Sequence, residues 1–424
     1  MFSDAYQNLL STHSSAARDA YDVAVRRFLG AEPDVETAFQ AAIDADDDFA
    51  LAHIGMAREM QLRGRPDRVK ESLSRARSLM AGLTEREQSH IDVSGLLLEG
   101  KSAAARAAVY LHIQHWPKDV LVAQMCTSVF GLIGFSGLPG REAEQLAFLT
   151  KLAPHYGDNW WFSAQLAFAQ LEVGQLDNAA ANIEHALAEN PNSAHSIHIR
   201  AHLYYEALQD DDGLRYLKDC WQRYDPSGAL YNHVSWHVGL WSLESGDLDQ
   251  MWQVLDVDIA PENSQGPPLN VLTDSAALLF RAELAGVDVP VHRWQKLSSY
   301  ALLRFPKTGL GFADVHAAIT HARSGNREAL DRIIETARGP VADLTKTLAT
   351  GYRAMEDKSW AKAANCFKTA MRDHARLGGS NAQRDLIDFS LASCLVKDGR
   401  KDEARTVLAI TRPRALAKGL IAGI

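Results

Sequence analysis

Apolar and small residues recur every three or four positions along almost the whole chain, and glycines and prolines divide this pattern into short stretches. The clearest stretch runs from Trp160 to Ser193, with a glycine at Gly174 and a proline at Pro191. Its small or apolar positions are Leu166, Ala167, Ala179, Ile183, Ala186 and Leu187. Residues at this spacing share one face of a helix, and glycine and proline mark helix ends. The stretch therefore predicts two helices joined by a short turn.

Similar pairs of amphipathic segments precede and follow this unit. They cover residues 16–44, 50–80, 85–119, 194–224, 229–257, 312–337, 349–376 and 386–410. A helix–turn–helix unit of about 34 residues is the pattern of the tetratricopeptide repeat. No alternating strand pattern competes with it. We therefore predict an all-α fold, a tetratricopeptide-type α-solenoid in which helix pairs stack into a right-handed superhelix.

Two segments interrupt the periodic pattern. Four glycines lie between residues 131 and 140, and each interior glycine costs a helix about 1 kcal/mol relative to alanine, so we predict an enlarged turn between helices. The stretch Pro261–Asn270 contains three prolines and a glycine and is the best candidate for a linker. Residues 1–262 are accordingly predicted to form N-terminal repeats that carry the histidine cluster. Residues 271–424 are predicted to form C-terminal repeats that continue the same superhelix.

The composition and charge of the chain limit the kinds of molecule that it is expected to bind. The chain has 424 residues, of which 46% are hydrophobic and 23% are charged, as in ordinary globular proteins. Its formal net charge is −9, and the sequence contains no block of lysine or arginine. This argues against nucleic acid as a binding partner, because recognition of phosphates needs clustered cations. No run approaches the roughly 20 apolar residues of a spanning helix, and the N-terminus lacks the apolar core of a secretory signal. We therefore expect no membrane association and a cytoplasmic location.

The sequence contains no motif that indicates a catalytic nucleophile or a nucleotide-binding site. The four cysteines lie far apart and form no C-x-x-C pair, as expected for reduced thiols inside a cell. The chain contains neither a G-x-x-x-x-G-K phosphate loop nor a G-x-S-x-G nucleophile elbow. We therefore predict no catalytic residue, no metal ligand and no cofactor.

Histidines and aromatic residues concentrate on the first helices of three consecutive predicted pairs. In tetratricopeptide arrays these helices line the concave groove. Framing the repeats from the clearest unit predicts that the groove is lined by Trp161, Phe168, Glu172, His195, His198, His202, Tyr205, Glu206, His233, Trp236 and His237. The first three histidines have i, i+3, i+7 spacing on one helical face, and the last two are four residues apart. We expect these five imidazoles to converge, and His316 to join them if the superhelix curls back on itself.

Three interpretations of this histidine cluster stay open. The side chains can be packing residues of a tight helix stack, each with a ring nitrogen satisfied by a neighbour. They can line a groove for a peptide segment or a small molecule, with imidazole donors and aromatic walls. They can also hold a metal ion or act in catalysis, because histidines four residues apart on a helix can bind zinc. His233 and His237 lack the glutamate of the H-E-x-x-H motif, since Val234, Ser235 and Trp236 lie between them.

A second, smaller cluster follows His112, where the residues read HWPKD from His115 to Asp119. Pro117 ends a helix at this point. Trp116 is therefore predicted to pack against the helix, and Asp119 is predicted to cap the next one. A structural role is favoured over a functional one.

Five segments that bear these histidines or follow them resemble one family. They are HWPKD from His115, SAHSIHIRAHLYYEALQDDDGLRYLKD from Ser193, NHVSWHVGLWSLESGDLD from Asn232, LTDSAALLFRAELAGVDVPVHRW from Leu272 and FADVHAA from Phe312. Together they are similar to the tetratricopeptide repeat protein 38 family, which includes the StaR-like bacterial proteins. The resemblance extends over most of the chain. It implies an α-helical repeat protein of bacterial type and implies no particular reaction.

We therefore expect a tetratricopeptide repeat scaffold that binds a peptide or protein segment, or a small molecule, in a groove lined by histidine and aromatic residues. The alternative is a metal-dependent or biosynthetic enzyme that uses the same histidines. A role without catalysis is favoured because no reaction motif is present. The sequence leaves the ligand and the oligomeric state open.

Overall fold

The computed structural model describes residues 2–424, and nearly all of its regular structure is helical. The exception is a pair of two-residue strands, β1 (Phe2–Ser3) and β2 (Leu9–Leu10), which pair antiparallel with Phe2 opposite Leu10. The periodic pattern of the sequence did not indicate these strands. The predicted all-α fold of the tetratricopeptide type is confirmed. None of the helices within residues 2–424 is both long enough and apolar enough to span a lipid bilayer.

The chain forms two compact units. The first unit contains the residues up to 136 together with residues 142–203 and 227–230. The second unit contains residues 137–141, 204–226 and 231–424. The division into residues 1–262 and 271–424 of one superhelix stays a prediction.

The first unit is built from helix pairs. Its helices are α1 (Ser15–Gly30), α2 (Val35–Ala45), α3 (Ala50–Leu62), α4 (Pro66–Ser78), α5 (Glu85–Leu98), α6 (Ser102–His115), α7 (Val120–Gln124), α8 (Arg141–Tyr156), α9 (Trp160–Glu172) and α10 (Leu176–Glu189). Helix α11 (Ala194–Glu206) begins in this unit. Close contacts join α1 with α2, α3 with α4 and α9 with α10.

The second unit repeats the same arrangement. Its helices are α12 (Asp210–Trp221), α13 (Tyr231–Ser245), α14 (Leu248–Val254), α15 (Pro268–Leu284), α16 (Val291–Arg304), α17 (Gly311–Arg323), α18 (Arg327–Thr336), α19 (Ala342–Glu356), α20 (Trp360–Met371), α21 (Asn381–Lys397), α22 (Lys401–Thr411) and α23 (Pro413–Lys418). A π-helix, Leu255–Ile259, follows α14, and a 3-10 helix, His374–Leu377, follows α20. The predicted linker is shorter than expected, because α15 already begins at Pro268.

The two helices of a pair are buried to different degrees. In α9, ten of the 13 residues are buried, whereas the buried residues of α10 are Ala179, Ile183 and Ala186 on one stripe. Helices α13 and α17 are buried like α9. A helix buried on all sides exposes no polar face to water, so each polar side chain on it needs a partner inside the protein. The buried histidines on these helices therefore need partners within the protein.

Glycines set the turn and the closest helix approach in the first unit. Gly174 adopts φ +81° between α9 and α10, a left-handed conformation that glycine adopts without strain. Gly55 lies on α3 against the ring of Phe39 from α2, where a Cβ atom would stand 2.2 Å from a ring carbon. The α2–α3 contact therefore depends on a missing side chain.

The glycine-rich segment is irregular, as predicted. Helix α7 ends at Gln124, and turns and bends fill the chain until α8 begins at Arg141. Backbone hydrogen bonds hold the turns, among them those from Leu132 N to Met125 O and from Phe135 N to Gly131 O.

Candidate functional site

The predicted groove residues of α9 are part of the core of the first unit. Trp161 and Phe168 are buried in hydrophobic clusters of this unit. Trp161 packs against Tyr156 from α8, with ring centroids 5.6 Å apart. Glu172, the last residue of α9, is also buried. These contacts fix α9 as the support on which the histidines of α11 lie.

Two histidines of α11 contact each other through their ring nitrogens. The Nε2 atoms of His198 and His202 lie 2.8 Å apart, and their rings are nearly perpendicular at 84°. The Phe168 ring lies 6.0 Å from the His198 ring and 5.2 Å from the His202 ring. His195 extends the row, with its ring 6.3 Å from that of His198. The structure therefore brings three predicted groove histidines and Phe168 together.

The close approach of the His198 and His202 nitrogens restricts their chemistry. Two protonated nitrogens cannot face each other at 2.8 Å, so at least one of the two Nε2 atoms carries a lone pair. One arrangement is a hydrogen bond from one neutral imidazole to the other. The second arrangement has both lone pairs directed at a shared cation. His198 is 6% exposed and His202 is 0% exposed, so bulk water does not replace either arrangement.

A second histidine pair lies on α13 in the second unit. His233 stacks on Trp236 with ring centroids 5.2 Å apart and an interplanar angle of 11°. His237 contacts both residues, at 5.2 Å from the His233 ring and 4.9 Å from the Trp236 ring. All three side chains are buried. Stacking on an indole fixes the plane of the His233 ring, so this pair is rigid.

Asp274 of α15 orients the ring of His233. Nδ1 of His233 donates to Oδ2 of Asp274 at 2.9 Å, and Asn232 Nδ2 donates to the same oxygen at 3.3 Å. Burial raises the pKa of the Asp274 carboxyl, although the charge of His233 and its hydrogen bond oppose the rise. A buried carboxylate beside Nδ1 holds the His233 ring in one orientation.

Sequence analysis did not identify Asp274 as part of the site. The residue lies within LTDSAALLF, a segment that resembles the family, and it was given no role there. Forty-one positions separate it from His233, so no helical periodicity connects the two residues. The available signal was an acidic residue within a mostly apolar predicted helix, since such a residue requires a partner when it is buried.

Tyr205 and Glu206, at the end of α11, belong to the second unit and contact charged residues within it. The Tyr205 hydroxyl donates to Oδ2 of Asp385 at 2.7 Å, and the Arg414 guanidinium lies 3.7 Å from the centre of its ring. Glu206 forms an ion pair with Arg412 at 3.5 Å. Burial raises the pKa of the Tyr205 hydroxyl far above its ordinary value, and the charge of Asp385 adds to the rise. These two residues connect α11 with the C-terminal helices.

His316 on α17 has a local partner. Its Nδ1 donates to the backbone oxygen of Phe312 at 2.7 Å, one helical turn earlier. Burial lowers the pKa of His316 to about 4, and the charge of Arg281 lowers it further, against the effect of this hydrogen bond. The ring is therefore neutral at pH 7.

Asp119 does not cap the following helix, contrary to the sequence-based prediction. It precedes α7, but its side chain accepts no hydrogen bond from the helix backbone. Instead it accepts from Arg86 Nη1 at 2.6 Å and from His90 Nδ1 at 2.9 Å. Burial alone would raise the pKa of the Asp119 carboxyl, but the charges of His90 and Arg86 outweigh burial and hold it well below its usual value. The aspartate is buried, and hydrogen bonds from a guanidinium and an imidazole hold its carboxylate more strongly than a helix end does. Trp116 packs as predicted, with its ring centroid 4.9 Å from that of His112.

A serine–histidine contact adjoins this aspartate. Ser89 Oγ lies 2.8 Å from His112 Nδ1, and His112 Nε2 lies 3.2 Å from Asp119 Oδ2. The same kind of contact recurs in the second unit, where Ser298 Oγ lies 2.8 Å from His321 Nδ1. Because this contact recurs in both units, we interpret it as a hydrogen bond that satisfies buried polar side chains between paired helices. We therefore assign the serines no nucleophilic role.

Each unit contains two buried histidines that are candidate metal ligands, His198 and His202 in the first unit and His233 and His237 in the second. Each histidine can offer one ring nitrogen, and neutral imidazole is a common ligand of zinc and other late transition metals. The ligand-binding role of the twelve predicted groove residues stays a prediction.

Comparison with solved structures finds similar chains only at low sequence identity among those described here. No protein-family model matches the chain. The human IFIT1 dimer with m7Gppp-AAAA is 17% identical with a TM-score of 0.45, and the match covers 96% of this chain and 91% of that chain. Yeast Tom70 is 15% identical with a TM-score of 0.34, covering 95% and 94% of the two chains. The TPR domain of P58(IPK) is 13% identical with a TM-score of 0.22, covering 93% and 99%. The helix pairs described above make this chain a tetratricopeptide-type helical repeat protein.

Proposed function

We propose that this protein is a binding scaffold that holds a small ligand on the histidine and aromatic side chains of its first helices. The proposed contact residues are Trp161, Phe168, Glu172, His195, His198, His202, Tyr205, Glu206, His233, Trp236, His237 and His316. A peptide or protein segment is the second candidate occupant. The resemblance to the tetratricopeptide repeat protein 38 family supports a bacterial, cytoplasmic member of that family.

The observation that carries this proposal is the contact between His198 and His202. A buried helix favours apolar side chains, because polar groups lose their hydration when they are buried. Helix α11 nevertheless presents two imidazoles to each other at 2.8 Å, beside the ring of Phe168. An aromatic wall with a few polar groups at fixed positions is typical of small-ligand sites.

Burial favours a small ligand over an extended peptide. A peptide groove exposes its contact residues before the partner binds, since most interfaces change little on association. Three of the four candidate ligand histidines are less than 5% exposed: His202, His233 and His237. A ligand enclosed by such side chains is small, and it exchanges with solvent through local motion of the helices.

A metal-dependent enzyme is the second candidate function for the same histidines. The observation that favours it is the hydrogen bond between His233 and Asp274. A carboxylate that fixes the tautomer of an imidazole occurs in metal sites and in acid–base catalysis. Catalysis also needs an accessible substrate position, and the described contacts identify none.

Native mass spectrometry of gently purified protein tests the proposed function. We expect an intact mass above that of the 46.7 kDa chain, and a return to the chain mass after denaturation. His202→Ala should abolish the added mass, whereas His185→Ala on α10, outside the proposed set, should retain it. A preparation whose native mass equals the chain mass, and whose melting temperature no small molecule or metal raises, would contradict the proposal.

A further inference from the structure

Residues 412–424 of the second unit, called the basic segment below, pack against other helices of the same unit. The segment contains the cations Arg412, Arg414 and Lys418 and no acidic residue. Helix α22 ends just before it, and Pro413 begins the short helix α23. A residue before proline is disfavoured in a helix, so the chain breaks here. The basic segment is therefore a short peptide attached to the preceding helix pair.

Arg414 lies in an acidic and aromatic enclosure formed by other helices of the second unit. Its Nη2 donates to Asp210 Oδ1 at 2.6 Å and also to Glu244. Its Nη1 donates to the backbone oxygen of Tyr205 at 3.2 Å, and the Tyr205 ring lies 3.7 Å from the guanidinium carbon. The side chains of Arg414 and Glu244 are each 4% exposed. A planar guanidinium can stack on a ring while it donates to two carboxylates, so this position favours arginine over lysine.

The other two cations of the basic segment extend this contact. Arg412 donates to Asp385 and forms an ion pair with Glu206 at 3.5 Å. The Lys418 ammonium lies 3.7 Å from a carboxylate oxygen of Asp210. The four carboxylates that receive the segment are called the acidic site: Glu206, Asp210, Glu244 and Asp385. Complementary charges of this kind steer a basic peptide to its site and fix its register.

Apolar contacts hold the rest of the basic segment. Leu420 and Ile421 are buried, and the backbone nitrogen of Ala422 donates to the oxygen of Leu284 at 2.8 Å. Among the described residues, this is the one backbone hydrogen bond that joins the segment to a helix other than α22 and α23. A small cavity adjoins Leu420, so the packing there is incomplete. The segment is therefore held mainly by a few side chains.

We propose that the acidic site of the second unit recognises arginine-bearing segments of partner proteins, and that the basic segment is an internal ligand which such a partner displaces. The partner segment carries two arginines two positions apart, like Arg412 and Arg414. An apolar pair follows six positions after the second arginine, like Leu420 and Ile421. Because side chains carry the docking, another chain with this spacing can make the same contacts.

This inference goes beyond the proposed function and does not rest on it. Tyr205 and Glu206 belong to both sets of residues, but the ligand here is an exchangeable protein segment. The histidine side chains take no part in it, so the failure of either proposal leaves the other standing. The competing interpretation is that the basic segment is a fixed part of the fold.

Binding of a synthetic peptide to the full-length protein separates these interpretations. The peptide has the sequence of residues 411–424 and a fluorescent label, and fluorescence anisotropy measures its affinity. The double variant Arg412→Ala/Arg414→Ala weakens the internal ligand and keeps the acidic site. A tethered segment competes at an effective concentration of about millimolar, so the double variant should bind the peptide at least about 10-fold more tightly than the parent protein. Arg405→Ala removes an exposed arginine of α22 and should bind it like the parent.

A second comparison tests recognition by charge. Adding Glu244→Gln to the double variant should weaken peptide binding by at least about 10-fold, because it leaves a buried arginine of the peptide without this carboxylate. A peptide with lysine at both arginine positions should also bind more weakly. Equal peptide affinity in the parent protein and the double variant overturns the displacement. Unchanged affinity after Glu244→Gln overturns the assignment of the acidic site.

Deuterium exchange of the unaltered protein keeps the proposal testable if the double variant fails to fold. The added peptide contains isotope-labelled leucine, so its fragments differ in mass from those of the protein. With the peptide at about millimolar concentration, the amides of residues 412–424 should exchange faster, while those of α20 should exchange as before. Unchanged exchange in residues 412–424 would show that the basic segment is a fixed part of the fold, and would overturn the proposal.

Discussion

Replacing Asp119 with asparagine should destabilise the first unit far more than an ordinary charge change. The aspartate is 3% exposed and accepts hydrogen bonds from Arg86 and His90. Asparagine keeps the shape and one acceptor oxygen but removes the negative charge. Arg86 then remains buried without the carboxylate that compensates it, because it is 6% exposed.

The expected loss follows from the cost of breaking a buried ion pair. Removing one partner costs about 3–5 kcal/mol, because the remaining charge is left without compensation. Equilibrium unfolding in urea at pH 7, followed by circular dichroism, measures this loss from the shift in the transition midpoint at constant slope. Asp48→Asn is the matched control, since Asp48 pairs with Arg75 at 2.9 Å but is 80% exposed. An exposed pair contributes roughly 0 to 1 kcal/mol.

The pH dependence gives a second criterion. The pKa of Asp119 is depressed in the folded protein, so its contribution is fully present above the unfolded value of about 3.9 and is lost as pH falls below it. The difference between the parent protein and Asp119→Asn should therefore shrink at acid pH. Adding Arg86→Met should recover part of the loss at pH 7, because it removes the uncompensated charge. If Asp119→Asn and Asp48→Asn lose equal stability at pH 7, the account of the buried network is wrong.

Three further predictions concern both units. Burial lowers the pKa of His316 and of His321 to about 4 each, so the free energy of unfolding should fall as pH drops from 6.5 to 4, by up to about 3 kcal/mol for each residue. In His321→Asn, the midpoint of urea unfolding should depend less on pH over this range. Burial raises the pKa of Asp314 to about 6, which destabilises the folded state as pH rises from about 4 to 6; Asp314→Asn should therefore raise the melting temperature at pH 7.5 but not at pH 4. Gly55→Ala should cost about 1–3 kcal/mol in chemical unfolding, because the added methyl overlaps the Phe39 ring; an unchanged midpoint would show that α2 can move away.

The fold was predictable because the second helix of a pair buries only one face. Its apolar residues therefore recur in the sequence at helical spacing. Ala179, Ile183 and Ala186 formed such a stripe in the sequence and are the buried residues of α10. The turn at Gly174 was equally visible, since its φ of +81° favours glycine. Local periodicity and turn chemistry are short-range properties, and the sequence displays them directly.

The candidate site was predictable only within single helices. The spacing of His198 and His202 placed them on one face, and the structure brings their nitrogens together. Asp274 and the true partners of Asp119 were missed, because each pairing joins different helices. The hydrogen bond of the Tyr205 hydroxyl to Asp385, 180 positions away, was likewise not foreseen. Long-range side-chain pairings depend on tertiary packing, which no periodicity encodes.

The unequal burial of paired helices also separates positions that can change residue from positions that cannot. Outward positions of α10 can change residue without disturbing a neighbour, whereas nearly every position of α13 or α15 touches the interior. Three of the family-like segments, beginning at Asn232, Leu272 and Phe312, coincide with the enclosed helices α13, α15 and α17. A search for distant relatives should therefore weight these helices heavily and treat the outer ones as background.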